Sequence, residues 1–77
     1  MIVKIDRLLG SRIRTKILAK LILNIDRSFY MRELEKDLEV SFSSIHKELT
    51  TLKNLGIVTD EYRGKIRLFR INKSAAL

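Results

Sequence analysis

The sequence has no cysteine, no proline, no tryptophan and no glutamine, and its only histidine is His46. Without a thiol there is no disulfide framework, no zinc ribbon and no thiol chemistry. One imidazole and no thiol suggest no nucleophile–base pair and supply no His/Cys cluster of the kind that holds a metal. The expectation is a protein that is not an enzyme and that takes no cofactor and no metal. Glycine is also scarce. Gly10, Gly56 and Gly64 stand alone, so no glycine-rich loop cradles a phosphate. The apolar runs are short, as in Leu21-Ile22-Leu23, far below the roughly 20 residues of a membrane span. Residues 1–10 lack the apolar stretch of a signal peptide. A cytoplasmic protein with no membrane partner follows as the expectation. The missing glutamine, with abundant Ile, Lys and Arg, matches the composition of a thermophilic source.

What is present is aliphatic and basic. Ile, Leu and Val fill 25 of 77 positions, and the net charge is +7. So many branched aliphatics exclude a disordered basic tail. The length predicts one domain over residues 1–77 with a small core. The charge is unevenly spread. Residues 1–24 carry +5, residues 25–40 carry −2, residues 41–56 carry +1 and residues 57–77 carry +3. Two basic ends around an acidic middle point to a polyanion partner.

Periodicity supplies the elements. Ile2, Ile5 and Leu9 suggest a short helix over residues 2–9. Ser11 is a suitable N-cap for a helix running to about Asn24. Its apolar residues Ile13, Ile17, Leu18, Leu21, Ile22 and Leu23 cover more than one stripe. That helix is expected to bury one face in the core and to turn the other towards residues 2–9 or a second subunit, which makes a homodimer the expected assembly. A turn at residues 26–28 and a possible short strand at 28–30 lead to a helix over 31–38. Val40-Ser41 breaks it. Ser41 caps a third helix that runs to about Leu55, where Gly56 stops it. Strands are expected over 57–62 and 65–72. With the turn at Arg63-Gly64, Val58 faces Phe69 and Asp60 faces Arg67, an apolar pair and an opposite-charge pair on one sheet face. Residues 73–77 form a tail.

The helix over 42–55 has two unlike sides. Phe42, Ile45, Leu49, Leu52 and Leu55 make an apolar face. Ser43, Lys47, Thr50 and Asn54 lie opposite, flanked by Ser44 and His46, with no acid among them. Hydroxyls, an imidazole and one Lys can serve base edges and phosphates, whereas carboxylates repel the DNA backbone. The N-terminal residues of a helix entering the major groove meet the bases first. Ser43, Ser44, His46, Lys47 and Thr50 are therefore the candidate DNA contacts. An ordinary solvated polar face is the alternative.

Residues 31–58, MRELEKDLEVSFSSIHKELTTLKNLGIV, resemble the helix-turn-helix of winged-helix transcriptional regulators. The likeness is to the broad ArsR/MarR-like group, particularly its small archaeal type. Arg32-Glu33-Leu34, the Val40-Ser41 turn, Ser44-Ile45 and Leu52 through Val58 carry it. The lead-in Leu9-Gly10-Ser11-Arg12-Ile13-Arg14 and the closing run Lys65 to Ile71 extend it over roughly residues 8–72. The resemblance implies a mainly α fold with a small β-hairpin wing, residues 42–55 as the recognition helix, and a basic wing tip of Arg63, Gly64 and Lys65 against the minor groove or phosphates. Arg67 either joins them or balances Asp60. Arg32, with Lys36, is either a phosphate-facing edge or a salt-bridge partner. Two features depart from the pattern. Glu39 stands where the motif commonly has a glycine, at a cost of roughly 1 kcal/mol if φ is positive. Glu33, Glu35, Asp37 and Glu39 must face away from DNA.

The expected function is a sequence-specific double-stranded DNA-binding transcriptional regulator, a repressor in its simplest form. Two alternatives of other kinds are a winged-helix module that docks on protein, and a nonspecific architectural or replication-associated DNA binder.

Overall fold

The computed structural model describes residues 12–74. The expected helix over residues 2–9 and the Ser11 cap lie outside the described residues. Within them the chain forms α1 (Arg12–Leu23), β1 (Phe29–Tyr30), α2 (Met31–Leu38), α3 (Phe42–Asn54), β2 (Val58–Arg63) and β3 (Ile66–Ile71). Three helices pack with one antiparallel three-stranded sheet of order β1-β3-β2.

Each element contributes to a single core. α1 supplies Ile17 and Leu21, β1 supplies Phe29, and α2 supplies Leu34. Ile45, Leu49 and Leu52 come from α3, Val58 from β2, and Phe69 and Ile71 from β3; all ten are buried. Ile45, Leu49 and Leu52 recur at i, i+4 and i+7, the spacing that holds side chains on one helix face. Full burial of each such side chain is worth roughly 1.5–3 kcal/mol, so small changes here are costly. Ile13, Leu18, Met31, Leu38 and Val40 pack against the rim of the core.

Local chemistry sets the boundaries. Ser41 is the N-cap of α3, with φ −60° and ψ 150°, and its Oγ accepts from the Ser44 N–H at 3.3 Å. Gly56 has φ 79° and follows Leu55, the residue at the end of α3. α2 ends at Glu39, which adopts a left-handed conformation with φ 55° and ψ 48°. The turn between α2 and α3 therefore keeps its left-handed geometry without a glycine.

The expected hairpin register needs correction. The loop is Gly64-Lys65, not Arg63-Gly64, and Arg63 pairs with Ile66. Val58 consequently faces Ile71, Asp60 faces Phe69, and Tyr62 faces Arg67. Gly64, at φ 62°, is the first loop residue, and Lys65 has a negative φ. That suits a two-residue turn with glycine leading. The slip is even, so every side chain keeps its expected face. The Asp60–Arg67 ion pair survives as a diagonal contact, with Arg67 Nε 2.7 Å from Asp60 Oδ2. β1 adds the third strand, Phe29 facing Phe69 and Tyr30 facing Leu68.

α1 does carry a second apolar face. Ile22 is 55% and Leu23 82% exposed, and among the described residues nothing covers them. Ile25, Leu55 and Ile57 are exposed as well. Two sets of contacts place Ile25 and Ile57 at one end of the fold. Asn72 donates its N–H to the Ile57 carbonyl at 2.9 Å and its side chain to the Gly56 carbonyl at 3.0 Å. Its neighbour Lys73 pairs with Asp26. No helix among the described residues is long and apolar enough to cross a membrane.

Candidate nucleic-acid interface

The side of α3 turned away from the core carries the candidate contacts. Ser43, His46, Lys47 and Thr50 are exposed and Ser44 is half-buried. Their hydrogen bonding differs. The Thr50 hydroxyl donates to the His46 carbonyl at 2.8 Å, and the Thr51 hydroxyl does the same to Lys47 at 3.2 Å. Thr50 thus offers outward only acceptor lone pairs and a methyl group. Ser44 Oγ accepts from Ser41 Oγ at 2.9 Å, which leaves its own hydrogen for an external acceptor. Ser43 Oγ lies 3.4 Å from Ser41 Oγ. Lys47 and His46 have no side-chain hydrogen bond or ion pair among the described residues, so Lys47 can donate in three directions.

Glu33, Glu35 and Asp37 of the acidic middle are held in ion pairs, and Glu39 lines a separate groove with Lys16 and Lys20. Glu33 pairs with Arg27 and accepts from the Tyr30 N–H at 3.4 Å. Asp37 pairs with Lys20 at 3.3 Å and Glu35 with Arg32 at 3.3 Å. Glu48, the one acid on α3, is 7% exposed, and it accepts from Arg14 Nε at 2.7 Å. The outward stripe of α3 is therefore free of carboxylates.

Three of the four remaining basic candidates gather at the N-terminal end of α3. Arg32, Lys65 and Arg67 line one groove of about 310 Å³ with Phe42, the first residue of α3. The β2–β3 hairpin thus lies beside the N-terminus of α3, next in sequence to Ser43 and Ser44. The Arg32 guanidinium sits over the Phe42 ring, 4.8 Å from its centre. Lys65 has no anionic partner among the described residues. Arg67 is committed: it pairs with Asp60 and stacks on Phe69 at 4.7 Å. Asp60 also accepts from Lys53 Nζ at 3.1 Å. Its hydrogen bond to Arg67, above all, holds the Asp60 carboxyl below its usual pKa. Arg63 is exposed, 3.5 Å from Glu61, and does not line the groove.

Lys47 and Thr50 lie further along α3, about 7 and 12 Å from Phe42 by helical rise. Sequence reasoning missed Tyr30 and Ile66, which also line the groove, and it counted Phe42 only as core. Phe42 is 38% and Tyr30 44% exposed. The available signal was position: an aromatic directly after the Ser41 cap has no preceding helical turn to cover it.

No group of three or more His, Cys, Asp or Glu among the described residues is placed to hold a metal ion. Neither the protein-family models nor the curated proteins compared with this chain give a match.

Proposed function

We propose that this chain is a winged helix-turn-helix protein that binds double-stranded DNA sequence-specifically, as a homodimer, and represses transcription by occupying its site. The observation that carries the proposal is the acid-free outward stripe of α3, with Arg32, Lys65 and Arg67 gathered around Phe42 at the N-terminal end of the same helix. In this arrangement α3 enters the major groove. Ser43, Ser44, His46, Lys47 and Thr50 meet base edges and phosphates, and the hairpin of β2 and β3 is the wing. Arg63 and Lys65 reach the adjacent backbone or minor groove. Arg67 adds charge while its pair with Asp60 holds the wing. Exposed ion pairs such as Arg32–Glu35 are weak in water, so Arg32 exchanges Glu35 for a phosphate at little cost.

The exposed apolar residues Ile22, Leu23, Ile25 and Ile57 support dimerisation. Ile25 and Ile57 lie at the β2–β3 end opposite the Gly64-Lys65 loop, about one six-residue strand length, or roughly 20 Å, away. A second copy joined there leaves both wings and both α3 helices free for half-sites about one helical turn apart.

The test is a selection from random duplex DNA near physiological salt, with the mass in solution measured alongside. An enriched inverted repeat with a dimer mass is expected. Binding without enrichment favours a nonspecific architectural binder. A folded protein that binds no duplex favours a protein-docking module.

A further inference from the structure

The groove between the wing and α3 has a composition that phosphate contact alone does not require. Its walls are the aromatic rings of Tyr30 and Phe42 and the aliphatic side chains of Met31 and Ile66. Its cations are Arg32, Lys65 and Arg67, and no carboxylate lines it. Its volume of about 310 Å³ falls at the lower end of small-ligand pockets. Tyr30, Phe42 and Ile66 are 44%, 38% and 53% exposed. Cationic charge beside exposed aromatic faces is the chemistry that holds single-stranded nucleotides, because every base has a π-face and every link a phosphate.

Resting on the DNA-binding reading above, we propose that this groove is a pocket for one unpaired nucleotide of the bound DNA. With α3 in the major groove and the wing at the neighbouring minor groove, the sugar–phosphate strand that separates the two passes over the groove. A nucleotide that leaves the stack from that strand enters between Tyr30 and Ile66. Its base packs on the Tyr30 ring and its flanking phosphates meet Lys65 and Arg32. Phe42 has one face covered by the Arg32 guanidinium, so the exposed Tyr30 ring is the main platform. A paired base must first be unstacked and unpaired, and an extrahelical or overhanging one need not be. The protein therefore prefers duplexes that already carry an unpaired nucleotide.

The test compares three labelled duplexes of equal length: fully paired, with a single-nucleotide bulge, and with a two-nucleotide overhang. The bulged or overhanging duplex is expected to bind about tenfold more tightly than the paired one, the size of one base–aromatic stack. Tyr30→Ala and, separately, Ile66→Ser should remove that preference and leave paired-duplex affinity within about twofold, with folding checked by circular dichroism. Tyr30→Phe, which keeps the ring, should retain it. Equal affinity for all three duplexes overturns the pocket while leaving DNA binding intact, as does a preference that survives both folded variants. Competition by a free deoxynucleoside monophosphate with no effect of duplex form also overturns it, in favour of a small-molecule site. Binding of none of the three duplexes overturns the DNA-binding reading and the pocket together.

Discussion

Asp60 on β2 accepts hydrogen bonds from Arg67 on β3 at 2.7 Å and from Lys53 on α3 at 3.1 Å. One carboxylate thus joins the last turn of α3 to the middle of the hairpin. The two parts that would touch DNA share this anchor, so its loss should act on wing position as well as on stability.

Asp60→Asn should therefore lower stability by roughly 1 kcal/mol and change its pH dependence. The folded carboxyl has a lowered pKa, so the folded state holds the ionised form more strongly than the unfolded chain does. The resulting stability is complete above the unfolded value of about 3.9 and is lost as pH falls through the lower folded value. Denaturant melts of wild type and variant should differ at pH 7 and draw together as pH falls from the unfolded value through the lower folded one. A constant difference across that range would remove Asp60 ionisation as the cause.

Glu39→Gly should raise stability. Glu39 holds φ 55° and ψ 48°, where a Cβ is unfavourable and glycine is not, a difference of about 1 kcal/mol. Part of that gain is offset by the greater freedom of glycine in the unfolded chain. A rise of a few degrees in Tm is expected, with DNA affinity unchanged. An unchanged or lower Tm would mean that the Glu39 side chain contributes more than its backbone strain costs.

These positions show how much the sequence disclosed. The bounds of α2 and α3 were legible because Ser41, Gly56 and the apolar spacing of Ile45, Leu49 and Leu52 all act locally. The hairpin register was not. Pairing Val58 with Phe69 or with Ile71 puts apolar groups opposite each other on the same face, so hydrophobic patterning cannot separate the two. Only the positive φ at Gly64, as the leading loop residue, selects the observed register. The candidate contacts on α3 were legible as one helical stripe, though their function is a proposal. The groove was hidden because Tyr30, Phe42 and Ile66 are far apart in sequence and meet only through tertiary packing. Glu48 was hidden for the same reason, since its burial depends on Arg14 of α1.

Ser41→Ala should lower stability by about 1 kcal/mol, the usual effect of losing an N-cap acceptor. Ser41 Oγ serves the Ser44 N–H and contacts the Ser43 and Ser44 hydroxyls. The variant should thus also weaken DNA binding by loosening the first turn of α3. Thermal melts and a titration with the selected duplex separate the two effects. The expected loss of stability with unchanged affinity would place Ser43 and Ser44 outside the interface.

Lys47→Ala should weaken DNA binding and flatten its salt dependence by about one unit of log slope, because one phosphate contact releases about one counterion. Lys47 is exposed and has no ion pair among the described residues, so its truncation should leave the fold intact. Affinity titrations at several salt concentrations check this. A weaker variant with an unchanged slope would move Lys47 from a phosphate to a base edge, and unchanged affinity would remove it from the interface.

The apolar end of the fold gives the last prediction. Ile22 and Ile57 are 55% and 37% exposed and lie outside the core, so Ile22→Glu and Ile57→Glu should leave the monomer folded. Each places a charge where the proposed dimer excludes water, and the uncompensated burial of a charge is expensive. Sedimentation should show the dimer mass falling to the monomer mass in the double variant. Wild-type Tm should rise with protein concentration, and the variant's should not. DNA affinity should fall with the dimer, because a monomer reads one half-site and loses the tethering of the second. A double variant that keeps the dimer mass would exclude this face, and α3 and the wing would then have to be arranged about a different axis.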